Sequence, residues 1–117
     1  FSFDIDRDNE AKALSDGLLV IRHLFGFSGQ SLTQGAVSPD AVRPEAVDIK
    51  AYLEAADTEL DIDGDGESKA LSDGLLFIRY LFGFTGDALI SNAVAEGAQR
   101  QTADEIIAYI SKRIAGS

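Results

Sequence analysis

Apolar residues fall at steps of four, three and four in two stretches of the chain: Leu14, Leu18, Ile21 and Phe25, then Leu71, Leu75, Ile78 and Phe82. That spacing returns a side chain to one face of a 3.6-residue helix. Leu19, Leu24, Leu76 and Leu81 widen each stripe, so both helices are expected to bury much of their surface. Arg22 and Arg79 fall on the side expected to face water, and Gly26 and Gly83 are natural stops. Two more helices are expected. Pro44 suits the first turn of one that runs to about Ala55, and Thr102-Ala-Asp-Glu105 has the form of a capping box. The box opens a helix carrying Ile106, Ile107, Tyr109, Ile110 and Ile114. Short helical turns are expected near 31–36 and 87–95, and almost nothing alternates with period two, so no sheet is expected.

The two long stripes are copies. At an offset of 57, residues 11–29 and 68–86 are identical at 15 of 19 positions, with Val20 for Phe77 and His23 for Tyr80 among the differences. Weaker matches continue beyond them: Arg43 with Arg100, Ile49 with Ile106, and Tyr52 with Tyr109. The expected fold is all-α: a single domain over residues 1–117, with repeat one at 3–57 and repeat two at 60–114 packed face to face as pseudo-symmetric halves. A chain of 117 residues holds one modest core rather than two. Gly17 and Gly74 stand early in strong helices, where glycine costs about 1 kcal/mol against alanine. Their presence in both copies predicts a close backbone approach, to the preceding loop or to the opposite half.

Directly before each strong helix stands an acidic loop, Asp61-Ile-Asp-Gly-Asp-Gly66 in the second copy and Asp4-Ile-Asp-Arg-Asp-Asn9 in the first. Carboxylates at alternate positions, followed by a tight turn, wrap oxygen ligands around a hard cation such as Ca²⁺. In an EF-hand-type loop, positions 1, 3 and 5 give side-chain oxygens and position 7 a backbone carbonyl. The expected ligands are therefore Asp4, Asp6, Asp8 and the carbonyl of Glu10, and Asp61, Asp63, Asp65 and the carbonyl of Glu67. Position 12 is Ser15 or Ser72 and position 13 is Asp16 or Asp73. Either the loop is one residue longer and the aspartate closes the site, or serine or water ligates and the aspartate only caps the helix. The longer loop is preferred, because the Ser-Asp pair stands at the same distance in both copies. Lys12 and Lys69 at position 9 are expected to point outward. Arg7 in place of Gly64 brings a positive charge to the first site, while Asn9 in place of Gly66 still tolerates positive φ. Both loops are expected to bind, the second more tightly, and Mg²⁺ fits less well because it disfavours all-protein cages.

Composition narrows the function. With 20 acidic and 10 basic residues the formal charge is −10, which argues against nucleic acid or anionic membrane as partner. Two bound Ca²⁺ ions would reduce it to about −6. No cysteine excludes thiolate metal sites and disulfides, and no apolar run approaches a membrane span. His23 is the only histidine, so no histidine-based triad or metal pair exists, and the glycines lack the phosphate-loop pattern. An enzyme is not expected. The opening Phe1-Ser-Phe-Asp4 lies inside a motif with no visible signal peptide, which predicts a fragment or a mature C-terminal module.

A calcium loop followed directly by a helix ending in Arg-Tyr-Leu-Phe-Gly (Arg-His-Leu-Phe-Gly in the first copy), twice in one chain, resembles the type I dockerin modules of bacterial extracellular glycoside-degrading systems. The resemblance rests on Asp61-Ile-Asp-Gly-Asp-Gly66 with 75–83 and on their counterparts at 4–9 and 18–26, about 50 of 117 residues. It implies a non-catalytic, secreted or cell-surface bacterial module, stabilised by two Ca²⁺, whose first helices meet a cohesin-like partner. The chain departs from the dockerin pattern in its longer units, in the late closing acid, and in Ala13-Leu14 and Ala70-Leu71 where hydroxyl side chains usually serve recognition. Two functions follow: docking of a larger secreted protein, or a calcium-stabilised cap or spacer with no dedicated partner. A calmodulin-like sensor would want methionine-rich grooves, and there is no Met. Exposure of Leu19, Val20 and His23 with Leu76, Phe77 and Tyr80 would favour docking, and their burial would favour the cap.

Overall fold

Each acidic loop runs into a π-helical turn, Ala13–Gly17 and Ala70–Gly74, before the chain settles into α-helix at α1 (Leu18–Leu24) and α4 (Leu75–Leu81). The computed structural model describes residues 1–114, among which six α-helices occur and no strand. The π turn is closed by the Gly17 N–H donating to the Lys12 carbonyl and the Gly74 N–H to that of Lys69, each at 3.1 Å. One extra residue per turn changes the phase of everything before it. Leu14 and Leu71 are consequently turned outward, both 64% exposed, and the expected four-member stripe is broken at its first position. Its last position fails too. Phe25 and Phe82 are C-caps at the rim and more than half exposed. The face that does turn inward is Ser15, Asp16, Leu19 and Val20, matched by Ser72, Asp73, Leu76 and Phe77, all buried.

Gly26 and Gly83 end the two helices with φ of 92° and 91°, conformations that glycine adopts without strain. Arg22 and Arg79 do not simply face water. Their Nη1 atoms donate to the carbonyls of Leu32 and Gln34, and of Leu89 and Ser91, at 2.8–3.1 Å. Those carbonyls lie at the C-terminal ends of α2 (Gln30–Thr33) and α5 (Gly86–Ile90), where a helix has acceptors left without intrahelical donors.

The later helices are α3 (Ala46–Ala55) and α6 (Ala103–Ser111). Pro44 stands just outside α3, whose N-cap is Glu45. The capping box at α6 forms in full, with the Thr102 hydroxyl accepting from the Glu105 N–H at 3.2 Å and the Glu105 carboxylate accepting from the Thr102 N–H at 3.1 Å. Ile114 lies beyond α6 and packs against the core from outside.

α1 and α4 cross at their glycines. A Cβ on Gly17 would stand 2.9 Å from Cγ1 of Ile78, and one on Gly74 would stand 2.9 Å from Cγ1 of Ile21. Advancing from 17 to 21 while retreating from 78 to 74 makes the two helices antiparallel. The close approach is therefore to the other helix, one of the two alternatives the sequence left open. A single core surrounds the crossing, with Phe3 stacked on Phe77 at a centroid distance of 4.3 Å. The radius of gyration is 13.1 Å, as expected for one body of this length.

Candidate metal centres

The loops are shaped by their own first aspartates. The Asp4 carboxylate accepts the N–H groups of Asp8 and Asn9 at 3.2 and 2.8 Å, and that of Asp61 accepts those of Gly64, Asp65 and Gly66 at 2.9–3.2 Å. Asp8 and Asp65 then accept from Glu10 and Glu67 at 3.1 Å, curling the end of each loop. Positive φ is required on the way: 58° at Arg7 and 73° at Asn9, against 71° at Gly64 and 95° at Gly66. Asn9 tolerates this readily, whereas an arginine in that region is strained.

Asp16 and Asp73, delivered by the π turns, complete the arrangement. Asp16 accepts from the Ile5, Asp6 and Lys12 N–H groups at 2.6, 3.3 and 2.9 Å. Asp73 accepts from Asp63 and Lys69 at 3.1 and 2.9 Å. Each aspartate thus caps the start of its helix and also meets the loop. Asp4, Asp6, Asp8 and Asp16 bring one carboxylate oxygen each within 4.8 Å of one another, and so do Asp61, Asp63, Asp65 and Asp73. Oxygens ligating one Ca²⁺ at 2.3–2.6 Å can be no more than about 5 Å apart, so both sets fit a single ion. In loop one, buried Asp6 Oδ1 and Ser15 Oγ have no hydrogen-bond partner among the described residues. Such atoms are costly unless something ligates them.

The electrostatics agree. Burial raises the Asp16 and Asp73 carboxyls to about 7, aided by the charges of Asp6 and Asp63 and opposed by the backbone N–H donors. Burial likewise raises Asp6 and Asp63. Asp8 moves the other way: burial raises it, but the Lys12 ammonium, the Glu10 N–H and Ser38 together outweigh burial. Like charges this close need a counter-ion.

Lysine supplies part of one, contrary to the expectation that position 9 points outward. Lys12 Nζ lies 3.0 Å from Asp8 and 3.6 Å from Glu10, and Lys69 Nζ lies 3.5 Å from Asp65 and 3.6 Å from Glu67. The long side chain folds back because the acidic loop is the strongest nearby field. The Glu10 and Glu67 carboxylates take no part in either cluster, and the contribution expected of these residues is a backbone carbonyl.

Support also arrives from a segment the sequence reading did not tie to the loops. The Ser38 N–H donates to Asp6 and the Ala95 N–H to Asp63, both at 2.8 Å. The Arg43 and Arg100 N–H groups donate to the carbonyls of Asp6 and Asp63 at 2.9 Å. The guanidinium of Arg43 lies over Tyr52, and that of Arg100 over Tyr109. The arginine and tyrosine matches at an offset of 57 were the visible signal for these contacts.

His23 is half-buried, and burial lowers its pKa. No helix among the described residues is long and apolar enough to cross a membrane. No family model matches the chain, and no curated protein or solved structure matches it.

Proposed function

We propose that this chain is a non-catalytic calcium-binding module in which two Ca²⁺ ions, one per acidic loop, hold two pseudo-symmetric halves in their folded form. The observation that carries the reading is the convergence of four aspartate oxygens within 4.8 Å in each loop, two of the four residues in each set being fully buried. Asp4, Asp6, Asp8 and Asp16 would hold one ion, and Asp61, Asp63, Asp65 and Asp73 the other. When bound, the ion supplies a charge that cancels carboxylate repulsion. An all-protein set of oxygen donors suits Ca²⁺ better than Mg²⁺. The resemblance to dockerins supports a secreted bacterial setting.

Of the two roles expected for such a module, the cap or spacer has the more direct support. Leu19, Val20, Leu76 and Phe77 are wholly buried, and His23 and Tyr80 partly so. Attachment to a partner such as a cohesin-like protein is the second reading. Its support is apolar exposure at Leu14, Phe25 and Phe27 and at Leu71, Phe82 and Phe84. Calorimetric titration of chelator-treated protein tests the main reading. Two Ca²⁺ per chain, little heat from Mg²⁺, and a higher melting temperature are expected. No calcium heat and an unmoved melting curve would end it.

A further inference from the structure

We propose that Arg100, and less fully Arg43, is a positioning residue for the adjacent cation site, and that the residue at the fourth loop position decides how fully the arginine engages. The inference rests on the calcium reading above. Arg100 Nε donates to the Ile62 carbonyl at 2.6 Å and its Nη2 to the Asp61 carbonyl at 3.0 Å. One planar fork thus fixes two successive peptide groups, one of them in a ligand residue. The guanidinium lies 4.1 Å from the Tyr109 ring centroid, and the Tyr109 hydroxyl donates to the Glu59 carbonyl at 2.7 Å. Two side chains from outside the loop therefore hold its backbone at residues 59, 61 and 62, and Tyr109 belongs to α6. α6 thus braces the loop from behind.

Loop one carries the same pair in a weaker form. Arg43 lies 3.8 Å over Tyr52, whose hydroxyl donates to the Ser2 carbonyl at 2.8 Å. Its guanidinium makes one bond to the loop, from Nη1 to the Ile5 carbonyl at 2.8 Å, and none to the carbonyl of Asp4. The fourth loop position explains the difference. A Cβ on Gly64 would stand 3.0 Å from both Arg100 Nη2 and Gln99 Cβ and 3.2 Å from Arg100 Cζ, so any other side chain there must push the fork aside by a few tenths of an ångström. Arg7 has that Cβ, in the same left-handed conformation with φ 58°. Arg7 thus weakens loop one by crowding as well as by charge.

Groups behind metal ligands matter because they set ligand orientation before the ion arrives, and losing one typically costs about 10–100-fold in affinity. Lysine keeps the charge of arginine but lacks its two-point geometry, so Arg100→Lys isolates positioning from electrostatics. The test is Ca²⁺ titration of the full chain followed by amide NMR, with Gly64 and Gly66 reporting loop two and Arg7 and Asn9 reporting loop one. Arg100→Lys is expected to weaken loop two by about tenfold or more while loop one stays within about twofold. Gly64→Asn, whose side chain tolerates positive φ, is expected to weaken loop two alone, and to cost less in the presence of Arg100→Lys than in the wild-type chain, only the Gln99 contact then remaining. An unchanged loop-two affinity in Arg100→Lys overturns the proposal, and so does an equal loss at both loops, which marks general loosening. If Arg100→Lys does not fold, Tyr109→Phe replaces it, with loss confined to loop two expected and loss at both loops or neither overturning the idea. A wild-type chain whose amides do not respond to Ca²⁺ at either loop defeats the calcium reading itself, a result distinct from all of these.

Discussion

Lys69 sits where an incoming cation would sit in charge, though not in place, with its ammonium shared between Asp65 and Glu67. Removing it unmasks the loop. Lys69→Gln should raise calcium affinity at loop two severalfold, while lowering the stability of the chelated protein, because four crowded carboxylates lose a partner. A calorimetric titration showing weaker binding would contradict this. The aspartates rank by how completely the chain encloses them and by the regularity of their loop. Asp63→Ala should damage calcium-dependent stability more than Asp6→Ala, since loop two has glycine where loop one has the strained Arg7. Melting curves in calcium decide the order. The carboxylates at alternate positions were legible in the sequence because side-chain type and spacing are local properties. The convergence of Asp16 and Asp73 on the other three carboxylates was legible only as one of two alternatives, because a thirteenth-position acid reaches the loop through a π turn that no residue type announces.

α1 and α4 show where periodicity misleads. Steps of four, three and four describe a uniform helix, and the π turn gives each of these helices two phases. Leu14 and Leu71 were read onto the buried face for that reason and stand in water instead. The duplicated glycines were more informative, since a residue that costs helix stability in both copies needs a spatial reason. Gly17→Ala gains helix propensity of about 1 kcal/mol but drives a methyl to within 2.9 Å of Ile78 Cγ1. Overpacking of that kind costs about 1–3 kcal/mol. The net effect should be a lower melting temperature, and Ile78→Ala in the same chain should recover part of the Gly17→Ala cost in a double-mutant cycle. Independent loss from the two changes would rule out the contact. At α6 the capping box was read correctly because its four residues are contiguous. Thr102→Ala should cost about 1 kcal/mol in denaturant unfolding.

Across the whole molecule, chelation and pH act through the same carboxylates. Asp16 and Asp73 have folded-state pKa values of about 7, above the ordinary 3.8. Between those values the folded chain, when chelated, holds protons that an unfolded chain has released, so its stability is highest toward pH 4 and falls as pH rises toward 7. On the calcium reading proposed above, adding the ion should reverse the slope, because ligation requires ionised carboxylates. Melting temperature should therefore fall from pH 5 to 7.5 in EDTA and rise over the same range in calcium. Parallel slopes would show that the clusters do not bind. The helical class and the duplication were readable because they depend on local pattern. The contacts that brace the loops from residues 38–43 and 95–100 were marked only by the Arg43/Arg100 match, which does not say what it touches, because they join positions some thirty to forty apart. One further bond has a mechanical meaning. The Phe3 N–H donates to the Arg113 carbonyl at 2.8 Å, so the first and last described segments lie side by side. A pull applied at those two points does not slide packed helices past one another. It parts those segments like a clasp, acting on that bond and on the Phe3 stack beside the loop that starts at Asp4. Because Arg113 also donates to Glu59 at 2.6 Å and lies over the Tyr109 ring, the same pull reaches the brace of loop two, so tension at this clasp acts on both acidic loops together.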